Sequence, residues 1–363
     1  MTTLAAGRPG GRTTPRFHTL RVASVERLTD DAVAVTFDVP PELAADYAFW
    51  PGQSLTLRRV VAGQEERRSY SICAPMGERP RIGVREIPDG LFSSWLTHEV
   101  EPGTEVEVQT PTGSFRAEPG TGGRHLCIAA GSGITPMLSI ASSVLTDPDA
   151  EVVLLYGNRT SGSVMFAEEL GDLKNRYGPR FQLVHVLSRE PRDVELFSGR
   201  LDADRLRRLI SALVPLPAVD HAWLCGPFAM ITDARVVLGE LGLAADRIHV
   251  EHFYVDEPPP ELHRPEAVAS GATSDVTVVL DGLSATAPMS RERPILDSAQ
   301  ATRSDLPFAC KGGVCGTCRA LVREGAVDMR RNYALEAAEV AAGFVLTCQS
   351  VPVSVRVTVD FDA

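Results

Sequence analysis

The 363-residue chain has no uninterrupted run of about 18 apolar residues, so no segment reads as a helix that spans a bilayer. Its opening stretch, "MTTLAAGRPGGRTTPRF", has no apolar core of the kind a secretory signal needs, which makes a cytoplasmic protein the expectation. Positive charge is in deficit. A formal net charge of -11 argues against nucleic acid as the main partner, because phosphate binding needs a concentrated basic face. Seven cysteines are an odd number for a disulfide framework and suit a reducing compartment. No internal repeat is present. With 44% hydrophobic residues at this length, the chain can bury two or three separate cores.

The pattern changes three times along the chain. Residues 16–118 carry short alternating stretches ("HTLRVASVERL", "AVAVTFDV", "SLTLRRVV", "RIGVREI", "TEVEVQT") separated by turn residues, which predicts an antiparallel β-barrel. From 119 to 256, apolar strands ("HLCIAAG", "EVVLLYG", "FQLVHVLS", "HAWLCG") alternate with helical stretches, which predicts an α/β domain on a parallel sheet. Residues 257–272 are too rich in proline and polar side chains to build a core and read as a semi-rigid tether. The segment 273–363 runs strand, strand, helix ("PILDSAQA"), cysteine loop, strand and closing strand, a small β-grasp pattern.

The cysteine loop, "ACKGGVCGTC", is the most specific signal. Cys310, Cys315 and Cys318 are followed by Cys348 in "VLTCQS", and C-x4-C-x2-C with a distant fourth cysteine is the spacing of plant-type 2Fe-2S ferredoxins. Gly312, Gly313 and Gly316 allow the backbone to bend around such a cluster and aim N–H groups at its sulfurs. Zinc is the alternative, although zinc favours paired C-x2-C knuckles and only one is present. Cys73, Cys127 and Cys225 lie on apolar strands or turns, where buried structural thiols are the default.

A one-electron cluster needs a source of single electrons. "RRSYSICAP" contains Arg68-Ser69-Tyr70-Ser71, which resembles the R-x-Y-S flavin motif of the ferredoxin reductase family. The resemblance implies that Arg68 neutralises a flavin phosphate, Tyr70 packs on the flavin and Ser71 hydrogen-bonds the isoalloxazine. "DGLFSSWL" resembles the second flavin segment of that family, with Gly90 and Ser93 set to meet phosphate. Either stretch alone could be an ordinary strand end. "AAGSGITP" places Gly131, Gly133, Thr135 and Pro136 at a strand-to-helix turn suited to a pyrophosphate. "LCGP" resembles the family's turn beside the nicotinamide, through Cys225, Gly226 and Pro227. "HVEHFYV" resembles its E-x-F ending, with Phe253 over the flavin near Glu251; core packing is the alternative for Phe253. Arg159, with the pair Ser188 and Arg189, resembles the grip on the 2′-phosphate of NADPH, the alternative being solvated surface arginines.

Taken in order, flavin barrel, pyridine-nucleotide domain and C-terminal ferredoxin resemble the reductase components of bacterial multicomponent oxygenases. "RRSYSIC", "DGLFSSWL", "LLYGNR" and "CKGGVCGTC" are most similar to the reductases of phenylacetyl-CoA epoxidases. Reductases of 3-ketosteroid 9α-hydroxylases and of Rieske-type ring hydroxylases share the layout, and a stand-alone redox sensor or diaphorase is a further alternative. The resemblance implies FAD in preference to FMN, a 2Fe-2S cluster, NADPH (or NADH) as substrate, and an oxygenase that accepts the electrons. No acid–base triad is needed, so His125, His185 and His249 are expected to be structural. In the ferredoxin segment, Lys311, Arg319 and Arg323 suggest a basic docking face for that oxygenase.

Overall fold

The computed structural model describes residues 15–88, 90–120, 122–253, 272–303, 305–335 and 337–363. The tether expected at 257–272 lies, except for its last residue, outside the described residues, as does Asp89 of "DGLFSSWL". The chain divides into two compact units between Phe253 and Tyr254.

The first unit begins with six antiparallel strands, β1 (Phe17–Thr29), β2 (Ala32–Asp38), β3 (Ser54–Val61), β4 (Gln64–Ser71), β5 (Arg81–Arg85) and β6 (Glu105–Gln109), with the short helix α1 (Ser93–His98) between the last two. Their order in the sheet is β4-β3-β6-β1-β2-β5. A bridge between Ile72 and Ile82 joins the two edges and closes a barrel. Alternating side chains fill it: Leu20, Val33, Val35, Leu55, Leu57, Ile82, Val84, Val106 and Val108 are buried together.

Strand β4, "QEERRSYS", is absent from the pattern read from sequence. It pairs with β3 over its full length, Val61 opposite Gln64, through a two-residue turn at Ala62 and Gly63 with φ of 50° and 79°. Both angles are positive, the geometry that matches hairpin twist. Its charges are accommodated outside the barrel: Arg67 is buried against the Phe17 ring, 5.0 Å from the centroid, and is ion-paired to Glu65 at 2.6 Å.

The same unit continues as a parallel sheet of β7 (Gly123–Ala130), β8 (Ala150–Asn158), β9 (Phe181–Leu187), β10 (His221–Gly226) and β11 (Ile248–His252), in the order β11-β10-β7-β8-β9. The crossovers are α2 (Ile134–Val144), α3 (Ala167–Tyr177), α4 (Ala203–Leu213) and α5 (Phe228–Glu240). Helices cover both faces, so the strands are apolar throughout: Cys127 and Ala129 face one core while Leu126 and Ile128 face the other. The chain winds outward from β7 to β9 and then returns to lay β10 beside β7. The carboxyl ends of β7 and β10 therefore flank the switch point, where open α/β sheets form their ligand crevice.

The second unit has β12 (Thr273–Leu280), β13 (Leu283–Ser290), β14 (Arg319–Glu324), β15 (Val327–Met329), β16 (Phe344–Leu346), β17 (Ser350–Pro352) and β18 (Arg356–Asp360), with short helices α6 (Ile295–Ala299) and α7 (Ala337–Ala341). Five strands form a mixed sheet, β13-β12-β18-β14-β16, and β15 pairs with β17 apart from it. The β12–β13 hairpin turns on Asp281-Gly282, with φ of 55° and 70°. The sequence pattern caught the outer strands, α6 and the closing strand; it passed over the three-residue strands β15, β16 and β17, too short to show a period.

Candidate functional site

Gly131 and Gly133 occupy the single turn between β7 and α2. Gly131 takes φ +56°, a left-handed conformation that a side chain disfavours. At Gly133 an added Cβ would stand 2.2 Å from Cys225 O and 2.5 Å from Cys225 C, so only glycine lets this turn lie against β10. Thr135 is buried and donates its hydroxyl to Ser132 O at 3.0 Å, Pro136 is buried in the first turn of α2, and Tyr156 donates to Gly131 O at 3.0 Å. Cys225 and Gly226 end β10, and Pro227 precedes α5. Cys225 is wholly buried, and burial, followed by the charge of Glu251, pushes its thiol far up.

The register that sets Cys225 opposite Glu251 on β11 brings the flavin and nucleotide motifs together. Ser71, the last residue of β4, donates its hydroxyl to Glu251 Oε2 at 2.8 Å across 180 residues of sequence. The Glu251 carboxyl is enclosed, and the loss of water raises it to about 8, against a smaller downward pull from Ser71. Tyr70 is half-buried and its hydroxyl is pushed up by burial; Ser69 meets Thr56 at 3.0 Å; Arg68 is exposed, with one N–H given to Glu66 at 3.1 Å. Phe253, at the end of the unit, is 39% exposed, so core packing does not account for it.

Around Gly90 the loop is too tight for a side chain: a Cβ would lie 2.3 Å from Ser93 Oγ. Ser93 is buried, and its hydroxyl accepts from Ile87 N at 3.0 Å, so it closes its own loop. Two further residues escaped the sequence reading. Gly83 has no room for a Cβ because Thr135 Cγ2 and the Phe166 ring would stand at 2.6 and 2.7 Å; it is where β5 of the barrel meets the start of α2. Arg85, on the same strand, donates to Ser163 O at 2.5 Å and lies beside Gly131. A glycine within an apolar strand, "RIGVR", was the available signal.

Beyond the carboxyl ends of β8 and β9 the parallel ladder continues, with Ser188 N donating to Asn158 O at 2.9 Å and Arg189 N to Arg159 O at 2.8 Å. Arg159 and Arg189 are thus adjacent, and both are exposed. Asn158 is buried there with neither polar atom of its side chain hydrogen-bonded, the condition of a group awaiting a ligand. These features fit a pyridine nucleotide laid across the switch point.

In the second unit the four cysteines converge in two pairs. Cys310 is within hydrogen-bonding reach of Cys315, which pulls it down, joined by the amides of Gly312, Val314 and Cys315 against the opposing effect of burial. Cys318 and Cys348 form the other pair. Among the described residues no three such side chains surround the position of one ion. Two sulfurs plus two suit a pair of irons better than a single tetrahedral zinc. Lys311 takes φ +52° and Gly313 and Gly316 take +81° and +68°, so the loop curls as the glycines predict. The expected basic docking face is corrected by its pairing: Lys311 meets Asp297 at 2.9 Å, Arg319 meets Glu339 at 3.0 Å and Arg323 meets Asp360 at 2.9 Å. Each of these charges is answered locally.

At the opposite ends of β7, β10 and β11, His125, His221, Trp223 and His249 stack. Trp223 Nε1 donates to His125 Nδ1 at 3.2 Å, His221 and His249 share a hydrogen bond of 3.2 Å, and the Trp223 and His249 rings lie 4.2 Å apart. Burial, with the neighbouring His221, pulls His125 and His249 down to about 4. They are neutral packing groups far along the strands from the switch point.

Three family models match the chain: an oxidoreductase FAD-binding domain at residues 19–117, an oxidoreductase NAD-binding domain at 127–236 and a 2Fe-2S iron-sulfur cluster binding domain at 278–353. One subunit of the 1,2-phenylacetyl-CoA epoxidase of Escherichia coli is 44% identical over 352 residues, 96% of this chain and 98% of that protein. The ferredoxin reductase component of 3-ketosteroid-9-alpha-monooxygenase from Rhodococcus rhodochrous is 34% identical over 354 residues, 94% of this chain and 96% of that one. Among solved structures, phthalate dioxygenase reductase superposes with a TM-score of 0.59 at 24% identity, covering 95% of this chain and 98% of that one, a likeness of fold.

Proposed function

Because the chain belongs to the family of FAD- and 2Fe-2S-containing reductase components of oxygenases, an oxidoreductase that passes electrons from NAD(P)H to an oxygenase partner, we propose that its partner is a phenylacetyl-CoA epoxidase and its role the opening step of phenylacetate breakdown. The observation that carries this reading is the 44% identity, spread over nearly the full length of both chains, to the reductase component of such an epoxidase. The steroid-hydroxylase reading rests on 34% identity over a similar span. A cytoplasmic location agrees with the absence, among the described residues, of any helix long and apolar enough to cross a membrane.

When bound, FAD takes hydride from NAD(P)H and the 2Fe-2S cluster carries the electrons onward one at a time. The chain's own residues bind, orient and exclude water. We assign Arg68, Ser69, Tyr70 and Ser71, with Gly90 and Ser93, to the flavin; Arg68 supplies charge to a phosphate, whereas Ser93 acts by holding its loop closed. Gly131, Gly133, Thr135 and Pro136 shape the pyrophosphate turn, and Cys225, Gly226 and Pro227 form the wall beside the nicotinamide. Ser71 and Glu251 form one hydrogen-bonded unit in which the carboxyl keeps its proton at neutral pH, so no charge opposes hydride arrival there. Phe253, exposed at the end of β11, covers the flavin face until the nicotinamide displaces it. Arg159, Ser188 and Arg189 select NADPH. Cys310, Cys315, Cys318 and Cys348 hold the cluster. The functional domains are assigned to 16–118, 119–256 and 273–363, joined by a tether at 257–272.

Purified oxygenase components decide the partner. NADPH-dependent oxidation of phenylacetyl-CoA should be supported at the rate of the cognate reductase, and steroid ring hydroxylation should be slower by an order of magnitude or more. The reverse ranking would overturn the epoxidase reading.

A further inference from the structure

Three sulfurs of the cluster site come from one loop, residues 310–318, and the fourth from the separate segment between β16 and β17. Something must hold the two segments in register. Thr347 does part of this, donating from its amide and hydroxyl to Cys318 O at 3.1 and 2.9 Å. The remaining tie is Gln349, the residue after Cys348. Its Nε2 donates to Lys311 O at 2.8 Å and to Cys348 O at 3.0 Å, and lies 3.7 Å from Cys348 Sγ, within range of an N–H to sulfur contact. One amide thus spans both ligand-bearing segments and touches a ligating sulfur.

Two features of the loop are arranged around this side chain. Lys311, whose carbonyl Gln349 holds, is in the left-handed region at φ +52°, a conformation that needs support when the residue carries a Cβ. Gly313 makes the room: a Cβ there would stand 3.0 Å from Gln349 Cγ. Cys310 has its own ring of amides from Gly312, Val314 and Cys315, whereas Cys348 receives the Gly313 amide and the Gln349 side chain. Gln349 is therefore the one side-chain amide, among the described contacts, that reaches a cluster sulfur.

We propose that Gln349 is a positioning residue that raises the reduction potential of the cluster while locking Lys311 and Cys348 together. An N–H aimed at a ligating sulfur withdraws electron density and favours the form with one more electron, so it biases transfer from flavin toward cluster. The proposal rests on the four cysteines holding a 2Fe-2S cluster.

The test is a potentiometric titration of the full holoprotein followed by EPR, for wild type, Gln349→Leu and Gln349→Glu, with iron content measured alongside. With iron retained, the cluster potential should shift negative in Gln349→Leu and further negative in Gln349→Glu, where an anion replaces the donor. The flavin potential should not move. Full iron with a wild-type cluster potential in either variant would overturn the proposal. Should both substitutions cost the cluster, wild-type protein labelled with 15N in its glutamine side chains answers directly: the reduced cluster should show hyperfine coupling to a glutamine nitrogen, and its absence overturns the proposal. Iron missing from wild type itself would instead sink the cluster reading.

Discussion

Between about pH 6.5 and 8 the first unit should lose stability as pH rises, and one carboxyl should be responsible. Glu251 is raised from the usual carboxylic range to about 8 by burial. In the folded state it therefore keeps a proton that the unfolded chain has already released, and stability falls with rising pH wherever the folded state binds more protons. That window runs from about 4.5 to 8. His125, His249 and His252, held down to about 4 chiefly by burial, act in the opposite sense between about 4 and 6.5: the unfolded chain binds protons there that the folded one refuses, so their contribution is lost as pH falls. Three histidines outweigh one carboxyl below 6.5. Above it only Glu251 is still titrating, at about 1.4 kcal/mol for each pH unit, or about 2 kcal/mol up to pH 8. Stability should then peak near pH 6.5. For a unit of this size, about 2 kcal/mol corresponds to a fall of roughly 4–8 °C in Tm. The assay is thermal unfolding followed by flavin fluorescence, which reports the first unit, at fixed FAD concentration. In Glu251→Gln the decline from pH 6.5 to 8 should vanish while the acid limb stays. A wild-type protein equally stable at both pH values, or a decline that survives in Glu251→Gln, would refute the buried protonated carboxyl.

Serine at Cys318 should remove the iron and the cluster absorption yet leave NADPH-driven flavin reduction intact, because cluster and flavin sites belong to separate compact units; loss of flavin in the same variant would count against that. Arg189→Ala should raise KM for NADPH roughly tenfold or more, the value of a charge-assisted contact, and spare NADH; steady-state kinetics with both coenzymes checks it, and an equal effect on both removes the phosphate role. Gly133→Ala must displace β10 backbone 2.2 Å away, which should lower unfolding stability by about 3 kcal/mol and slow hydride transfer. A variant with wild-type melting and kinetics would mean that the turn yields freely.

Much of the fold could be read from the chain because alternation and the strand–helix rhythm are direct consequences of burial on one face or two. Strand β4 was hidden because its charged side chains point away from the barrel core, where Phe17 and Glu65 receive Arg67, so the apolar signal was missing although the Ala62-Gly63 turn was present. At the site, the motifs identified which residues to consider but not how they meet. The Ser71–Glu251 hydrogen bond joins the two ends of the first unit, and no local pattern encodes it. Ser93 illustrates the converse: its place in "DGLFSSWL" suggested a phosphate ligand, and the folded loop turns its hydroxyl inward. The bases near the cysteine loop looked free in sequence because their acidic partners, Asp297, Glu339 and Asp360, are brought in from 14 to 37 residues away.

Anaerobic titration of the holoprotein with NADPH, watched by visible absorption and low-temperature EPR together, tests the central claim most directly. The flavin should bleach, and the signal of a reduced 2Fe-2S cluster should grow to about one spin per chain, with both steps lost when FAD is removed. Flavin bleaching with no cluster signal, or a cluster reduced by NADPH without flavin, would contradict the account.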